Sequence, residues 1–482
     1  MSDFDYDLIC IGSGPAGQRA AVQAAKLGKK AAIIEIEQTV GGVCLHTGTI
    51  PSKTFREAVL SMSKQRRRAS DPSPLQNGTA CVEHLFARVG EIVRREERVQ
   101  EAQLGRNDID IIVGTARFSG PHEIVVTSSH GERRVSAAHF FVAVGTRPAP
   151  TTDADYDGES IINSDEIFSL PRLPHSMVVI GCGVIGIEYA SMFAQLGVTV
   201  TVVDGRQRPL EFLDHEIVDE LVHQMRDRNV VFRLGETVER VRRREQGRGR
   251  VVVSLQSGKR LVADVALICA GRAGATDNLG LTEAGLLADE RGRLVVDEEF
   301  RTVQRHIFAG GDVIGFPSLA ATSSEQGRLA ACNAFGVDAG AMSENFPVGI
   351  YAIPEMSMVG EPEHTLTEKR VPYEIGVARF REIARGQILD DKSGFLKLIF
   401  HRDDRRLLGV HAVGTGATEL IHIGQCVMEF GGGLDYFLKT VFNYPTLAEC
   451  YKVAALDAHN KLSLDDEVDE AAPAADNVRA IA

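Results

Sequence analysis

Short apolar runs, each closed by glycine and followed by a stretch of helical period, recur along the chain. DYDLICIG reads as a buried strand, GSGPAGQRAAVQAAKLG as a glycine turn opening a helix, and KKAAIIE as the next strand. That is a βαβ unit. The same order returns at SMVVIG, CGVIGIEYASMFAQLG and VTVTVVD, from Ser176 to Asp204. The spacing repeats as well, since 23 residues separate Gly12 from Glu35 and 23 separate Gly181 from Asp204.

Between the two units, DIDIIVGTARF, EIVVTSS and HFFVAVGTRP predict an antiparallel excursion that returns to the first sheet. VVVSLQS and LVADVALICAGR predict the same after the second unit, and HIFAGGDV supplies one more apolar strand. From about Pro347 the pattern becomes α+β, with FLKLIF and LLGVHAVG flanking an HRDDRR turn and ATELIHIGQCVMEFGGG as a helix. The predicted fold class is therefore α/β, with two Rossmann-like dinucleotide-binding domains and a C-terminal α+β domain. The expected divisions are 1–152 with 272–346, 153–271 and 347–464, followed by an acidic, disordered tail over 465–482.

A chain of 482 residues fits this three-domain reading, and a net charge of -13 opposes broad attraction to nucleic acid or anionic membrane. The basic runs KQRRRAS (64–70) and RVRRREQGRGR (240–250) read as solvated faces. No stretch of eighteen apolar residues and no leader pattern is present, so the expected address is cytosolic. The eight cysteines form no CxxC pair, which argues against a zinc site or disulfide framework. Cys10, Cys182 and Cys269 fall in strand-like runs, whereas Cys44 lies in the glycine-dense GGVCLHTGTIPSK. No metal-like spacing accompanies His46, and His422, on an apolar helix, reads as a packed or interface residue.

Gly12, Gly14 and Gly17 follow a strand and open a helix, where backbone can approach a pyrophosphate. Glu35 then ends the next strand, placed to accept from a ribose diol. In the second copy, Gly181, Gly183, Gly186 and Asp204 are followed by DGRQR, so Arg206 and Arg208 could hold a 2′-phosphate while Asp204 serves a free 2′-hydroxyl. Such a site could accept either dinucleotide; exposed arginines without a ligand are the alternative.

GSGPAG, GGVCLHTGTIPSK, AVGTRP (143–148), IGCGVIGIE (180–188), CAGRAGATDN (269–278) and FAGGDV (308–313) together resemble the flavoprotein disulfide reductase family in order and spacing, over residues 5–460. The resemblance implies FAD on the first unit, against Gly12, Gly14, Pro15, Ala16, Gly17, Glu35, Gly42, Cys44, Lys53, Ala116, Gly145, Asp312 and Ala320. It implies NAD(P) on the second, against Gly181, Gly183, Gly186, Glu188, Asp204, Arg206, Arg208 and Gly271. It also implies a homodimer or higher oligomer built on the C-terminal domain, Asp312 toward the flavin ribityl chain, and Lys53 beside the flavin and paired with Glu188. A cation there would favour the negative charge that flavin reduction creates.

Two departures change the expected chemistry. Disulfide-reducing members carry a second cysteine five residues after the first, where this chain has Thr49, and a His-Pro dipeptide where it has Tyr444 and Pro445. With an ordinary pKa near ~10, Tyr444 is a poor proton shuttle at neutral pH. Cys44 is then expected near the flavin without redox activity. The activity that remains is ping-pong hydride exchange, NADPH + NAD⁺ ⇌ NADP⁺ + NADH, with NAD(H) and NADP(H) as substrates. Its rivals are a dihydrolipoamide dehydrogenase-like or diaphorase-type enzyme with another acceptor, and a flavin-binding relic without catalysis.

Overall fold

The computed structural model describes residues 4–68, 78–149, 153–244 and 250–471 of the 482. Residues 69–70 and 245–249 of the basic runs and the tail from 472 onward lie outside the described residues. By contact density the chain parts into one unit of 1–207 with 228–342 and a second of 208–227 with 343–482.

In the first unit, strand Tyr6–Ile11 runs parallel to Ala31–Glu35 on one side and to the end of the long strand Gly131–Val142 on the other. Asp110–Val113 and Ile307–Ala309 complete this parallel sheet. The central strands read as unbroken apolar runs because both faces of a parallel sheet are covered. Helices Pro15–Lys26 and Ala320–Ala334 supply part of that cover, and a Cβ on Gly327 would stand 2.1 Å from the Ala16 carbonyl oxygen. Only glycine allows the two helices to lie so close. Thr115–Gly120 and Glu123–Ser128 form the antiparallel excursion that leads back into Gly131–Val142.

The second sheet of this unit repeats the design, with Val231–Leu234, Thr199–Asp204, Ser176–Ile180, Val265–Ile268 and Ile161–Asn163 all parallel. A three-stranded antiparallel sheet, Val238–Arg243, Val251–Leu255 and Arg260–Ala263, accompanies it. The basic strand Val238–Arg243 is matched by acids: Arg240 and Arg242 both pair with Asp153, and Arg243 lies 3.9 Å from Asp157. The ribbon of Thr146–Pro148 with Arg272–Gly274 links the two nucleotide folds.

The second unit holds a five-stranded antiparallel sheet, in the order Val348–Ile350, Met356–Gly360, Leu407–Val413, Phe395–His401 and Tyr373–Arg379. The expected hairpin around HRDDRR is Phe395–His401 with Leu407–Val413, and the expected helix spans Ala417–Glu429. Lys397 is fully buried there, and its ammonium is satisfied by Asp214 at 3.1 Å, Glu216 at 2.8 Å and Glu363. His411, opposite Lys397 in the hairpin, is pushed down to about 4 by burial and is therefore neutral. The final helix runs from Glu449 to Ala471, so residues 465–471, expected to lack order, continue it. Among the described residues no helix is long and apolar enough to cross a membrane.

Candidate functional site

A cavity of about 870 Å³, larger than the one at the second glycine turn, opens over the first glycine turn. Gly12 has φ +103, and a Cβ there would meet the Ala143 carbonyl oxygen at 2.4 Å; one on Gly17 would meet Gly12 O at 1.9 Å. These two glycines let strand and helix close on each other. Gly14 differs, because nothing lies within 4 Å of its absent Cβ, and it caps helix Pro15–Lys26 with no side chain in the way. The helix N-terminus thus faces open space, as a pyrophosphate requires. Glu35 is buried at the strand end, where Oε2 accepts from the Ser13 amide at 2.9 Å and from the Ser13 hydroxyl, and Oε1 accepts from the Glu37 amide at 3.1 Å.

The second cavity, about 730 Å³, repeats this geometry. A Cβ on Gly181 (φ +110) would meet Cys269 O at 2.4 Å, and one on Gly186 would meet Gly181 O at 2.0 Å. Asp204 accepts from the Cys182 amide at 2.7 Å, and Arg206 then grips it with Nε at 2.9 Å and Nη2 at 2.6 Å. Burial acts to raise the Asp204 pKa, but the Arg206 side chain and the Arg206 and Cys182 amides outweigh it and hold the carboxyl far below the usual range. The two cavities therefore differ in charge at the same position. Beyond Glu35 stand Ile36, 65% exposed, and Glu37; beyond Asp204 stands a guanidinium.

Cys44, Thr47 and Thr49 line the larger cavity. Burial pushes the Cys44 thiol pKa up, opposed by its hydrogen bond with Thr49, so the protonated form is favoured. All eight cysteines are free thiols. Thr47 Oγ1 is buried without a hydrogen-bond partner, so the wall offers a polar ligand an unused hydroxyl. Lys53, on helix Thr49–Arg68, donates to both carboxylate oxygens of Glu188 on helix Val184–Gln195, at 3.0 and 2.9 Å. Glu188 is 3% exposed, and Phe55 and Phe193, from the same two helices, pack with tilted rings 5.7 Å apart. A buried carboxylate without this cation would be costly.

The model of the pyridine nucleotide-disulphide oxidoreductase family matches residues 6–327, and that of its dimerisation domain matches 346–455. The chain belongs to that family. Among curated relatives, proteins named soluble pyridine nucleotide transhydrogenase are similar to it: one from Mycobacterium tuberculosis is 50% identical, over 95% of this chain and 98% of the relative. One from Vibrio vulnificus is 43% identical over the same shares. Among solved structures, LpdA from Mycobacterium tuberculosis is 27% identical with a TM-score of 0.85, covering 93% of this chain and 99% of that one. The HOCl-induced flavoprotein disulfide reductase RclA from Escherichia coli is 28% identical with a TM-score of 0.83, covering 94% and 99%.

Most residues singled out from the sequence of this pyridine nucleotide-disulphide oxidoreductase meet at the two cavities. Gly12, Gly14, Pro15, Ala16, Glu35, Gly42, Cys44, Ala116, Gly145, Asp312 and Ala320 line the larger one, while Gly181, Gly183, Asp204, Arg206 and Gly271 line the smaller. Gly17 and Gly186 stand behind the walls as packing glycines, and Lys53 and Glu188 pair outside both linings. Arg208 is not brought to the second cavity. It belongs to the other unit, where it pairs with Asp219.

Cys269 also lines the smaller cavity, with its thiol pushed up to about 12 by burial. His46 lines the larger cavity with Nδ1 3.7 Å from Glu97, and no group of three or more metal-capable side chains occurs among the described residues. His422 is exposed on its helix, hydrogen-bonded to Gln425, rather than packed. Tyr444 is 67% exposed. Ser13 was not singled out from the sequence, although it fills the slot that Cys182 occupies in the second copy; aligning the two units would have found it.

Proposed function

We propose that this protein exchanges hydride between NADPH and NAD⁺, with FAD in the larger cavity and either pyridine nucleotide in the smaller. The observation that carries this reading is the pairing of Cys44, a single thiol favoured as protonated, with the hydroxyl of Thr49. No dithiol pair stands on that wall to accept electrons, which removes the disulfide route and favours a nicotinamide as both donor and final acceptor. The relatives named transhydrogenase, up to 50% identical, support it.

The larger cavity fits FAD by its residues: the open space at Gly14, the helix N-terminus, Glu35 for a ribose diol, and the unpartnered Thr47 hydroxyl. FAD, when bound, supplies a two-electron relay between one nicotinamide and the next. Lys53, fixed by Glu188, provides the positive charge that favours electron gain, and the glycine turns align the two dinucleotides. In the smaller cavity, Asp204 serves the free ribose of NAD(H). Arg206, held on Asp204 at 2.9 and 2.6 Å, turns to the 2′-phosphate of NADP(H), so one site serves both carriers with a different side chain for each.

Because both carriers use one site in turn, the kinetics are ping-pong. No protein acid or base is required, which agrees with a tyrosine at 444. The enzyme works as a homodimer or higher oligomer through its C-terminal part, where Phe430 and Val441 stand 88% and 93% exposed. Initial rates with NADPH and thio-NAD⁺ test the scheme: parallel double-reciprocal lines are expected, and intersecting lines would exclude exchange at a single site.

A further inference from the structure

Arg272 is outside the lining of both cavities, yet its guanidinium ties together parts of the larger one. Nε donates to Thr146 Oγ1 at 2.9 Å, Nη2 to the Thr146 carbonyl at 2.7 Å, and Nη1 to Asp165 at 3.0 Å. Thr146 and Asp165 both line the cavity, as does Asp312, whose Oδ2 accepts the Thr146 hydroxyl in a long hydrogen bond of 3.5 Å. The Arg272 side chain is only 18% exposed, so solvent screens it little.

A threonine hydroxyl has one proton to give. With Arg272 Nε–H directed at Oγ1, that proton is left for Asp312, so the arginine sets the direction of the next hydrogen bond. The groups facing Asp312 are Arg272, Thr146, Arg293 and the Cys44 thiol. Burial, the largest influence, leaves the Asp312 carboxyl above its ordinary range, and Arg272, the Thr146 hydrogen bond and Arg293 limit that rise.

We infer that Arg272 is a positioning residue which, through Thr146, keeps Asp312 a hydrogen-bond acceptor toward the flavin site. The inference rests on placing FAD in the larger cavity. It gives a role to a cation from the second half of the fold, 126 residues from Thr146 in sequence. Asp312 then binds cofactor as an anion, and acid releases the cofactor by protonating it.

The test is FAD release from the holoenzyme against pH, followed by the fluorescence of free FAD, in wild type, Arg272→Gln, Arg272→Lys and Thr146→Val. Arg272→Gln is expected to raise the midpoint of acid release by about one pH unit. Arg272→Lys should recover part of the shift, because it restores charge without the fork. Thr146→Val replaces the hydroxyl with a methyl of the same shape, and should shift the midpoint in the same direction by a smaller amount. If Arg272→Gln does not fold, Thr146→Val carries the test alone. An unchanged midpoint in the variants, even with uniformly weaker FAD, would overturn the inference and leave Arg272 a packing role. A wild type that binds no FAD at any pH would overturn the cavity assignment itself, and the inference with it.

Discussion

Arg206→Ala should divide the two carriers. The guanidinium makes two charge-assisted hydrogen bonds to Asp204, at 2.9 and 2.6 Å. To serve NADPH it must trade this carboxylate for a 2′-phosphate, so the net gain is a difference between two ionic partners. Hydrogen bonds to charged groups contribute about 1.5–3 kcal/mol, and the Arg206 side chain is 44% exposed, which places the net effect near the low end. Removing it also leaves Asp204 to repel the phosphate. Together these give about 1–2 kcal/mol, or roughly a 5–30-fold rise in the KM for NADPH. The KM for NADH should hardly move, since Asp204 keeps the Cys182 amide and stays available to the ribose. Steady-state KM values for both nucleotides, at low and moderate salt, are the assay. The NADPH value in wild type should rise with salt and that of the variant should respond less. Equal changes for the two nucleotides would refute the assignment of Arg206 to the 2′-phosphate.

Three further outcomes follow from the same geometry. Arg208→Ala should leave the ratio of the NADPH and NADH KM values within about twofold, because an exposed pair with Asp219 contributes little; a large loss of NADPH preference, read in the same assay, would bring Arg208 back to the site. Cys44→Ser should keep NADPH-to-NAD⁺ turnover within a few-fold, and loss of turnover with flavin still bound would return sulfur to the mechanism. Asp157→Asn should cost about 2 kcal/mol at pH 7, measured by urea unfolding. Burial acts to raise the Asp157 pKa, but the amides of Ile161, Glu159 and Ser160 and the Ser160 hydroxyl outweigh it and bring it to about 2, below the ordinary 3.8 of an aspartate. That stability is present above the unfolded value and is lost as pH falls toward 2, so the difference between variant and wild type should shrink on acidification.

What the sequence made legible was local. Strand, glycine turn, helix and terminal carboxylate follow from spacing within each 23-residue stretch, and the structure brings Glu35 and Asp204 to matching positions. Glycine identity was ambiguous until packing was known. Gly12 and Gly17 are required by close backbone approach, while Gly14 is open to a ligand, a distinction set by Ala143, which is more than 120 residues away. Arg206 and Arg208 look equivalent in DGRQR, yet the first folds back on Asp204 and the second pairs with Asp219 on a helix. Arg272 lies in the CAGRAGATDN motif, but its role was not legible there, because its partners Thr146, Asp165 and, through Thr146, Asp312 meet only when the two nucleotide folds are assembled. At the C-terminus, acidic composition pointed to disorder, but the helix from Glu449 continues to Ala471.

The central claim is that reduced flavin in this protein hands its electrons to a nicotinamide and not to sulfur. Anaerobic stopped-flow absorbance on the FAD-loaded protein tests it directly: reduce with NADPH, remove excess nucleotide, then mix with NAD⁺ or, separately, with lipoamide or oxidised glutathione. The account predicts that NAD⁺ restores the flavin band at a rate sufficient for turnover while both disulfides leave it bleached. Rapid reoxidation by either disulfide, with NAD⁺ inert, would contradict it.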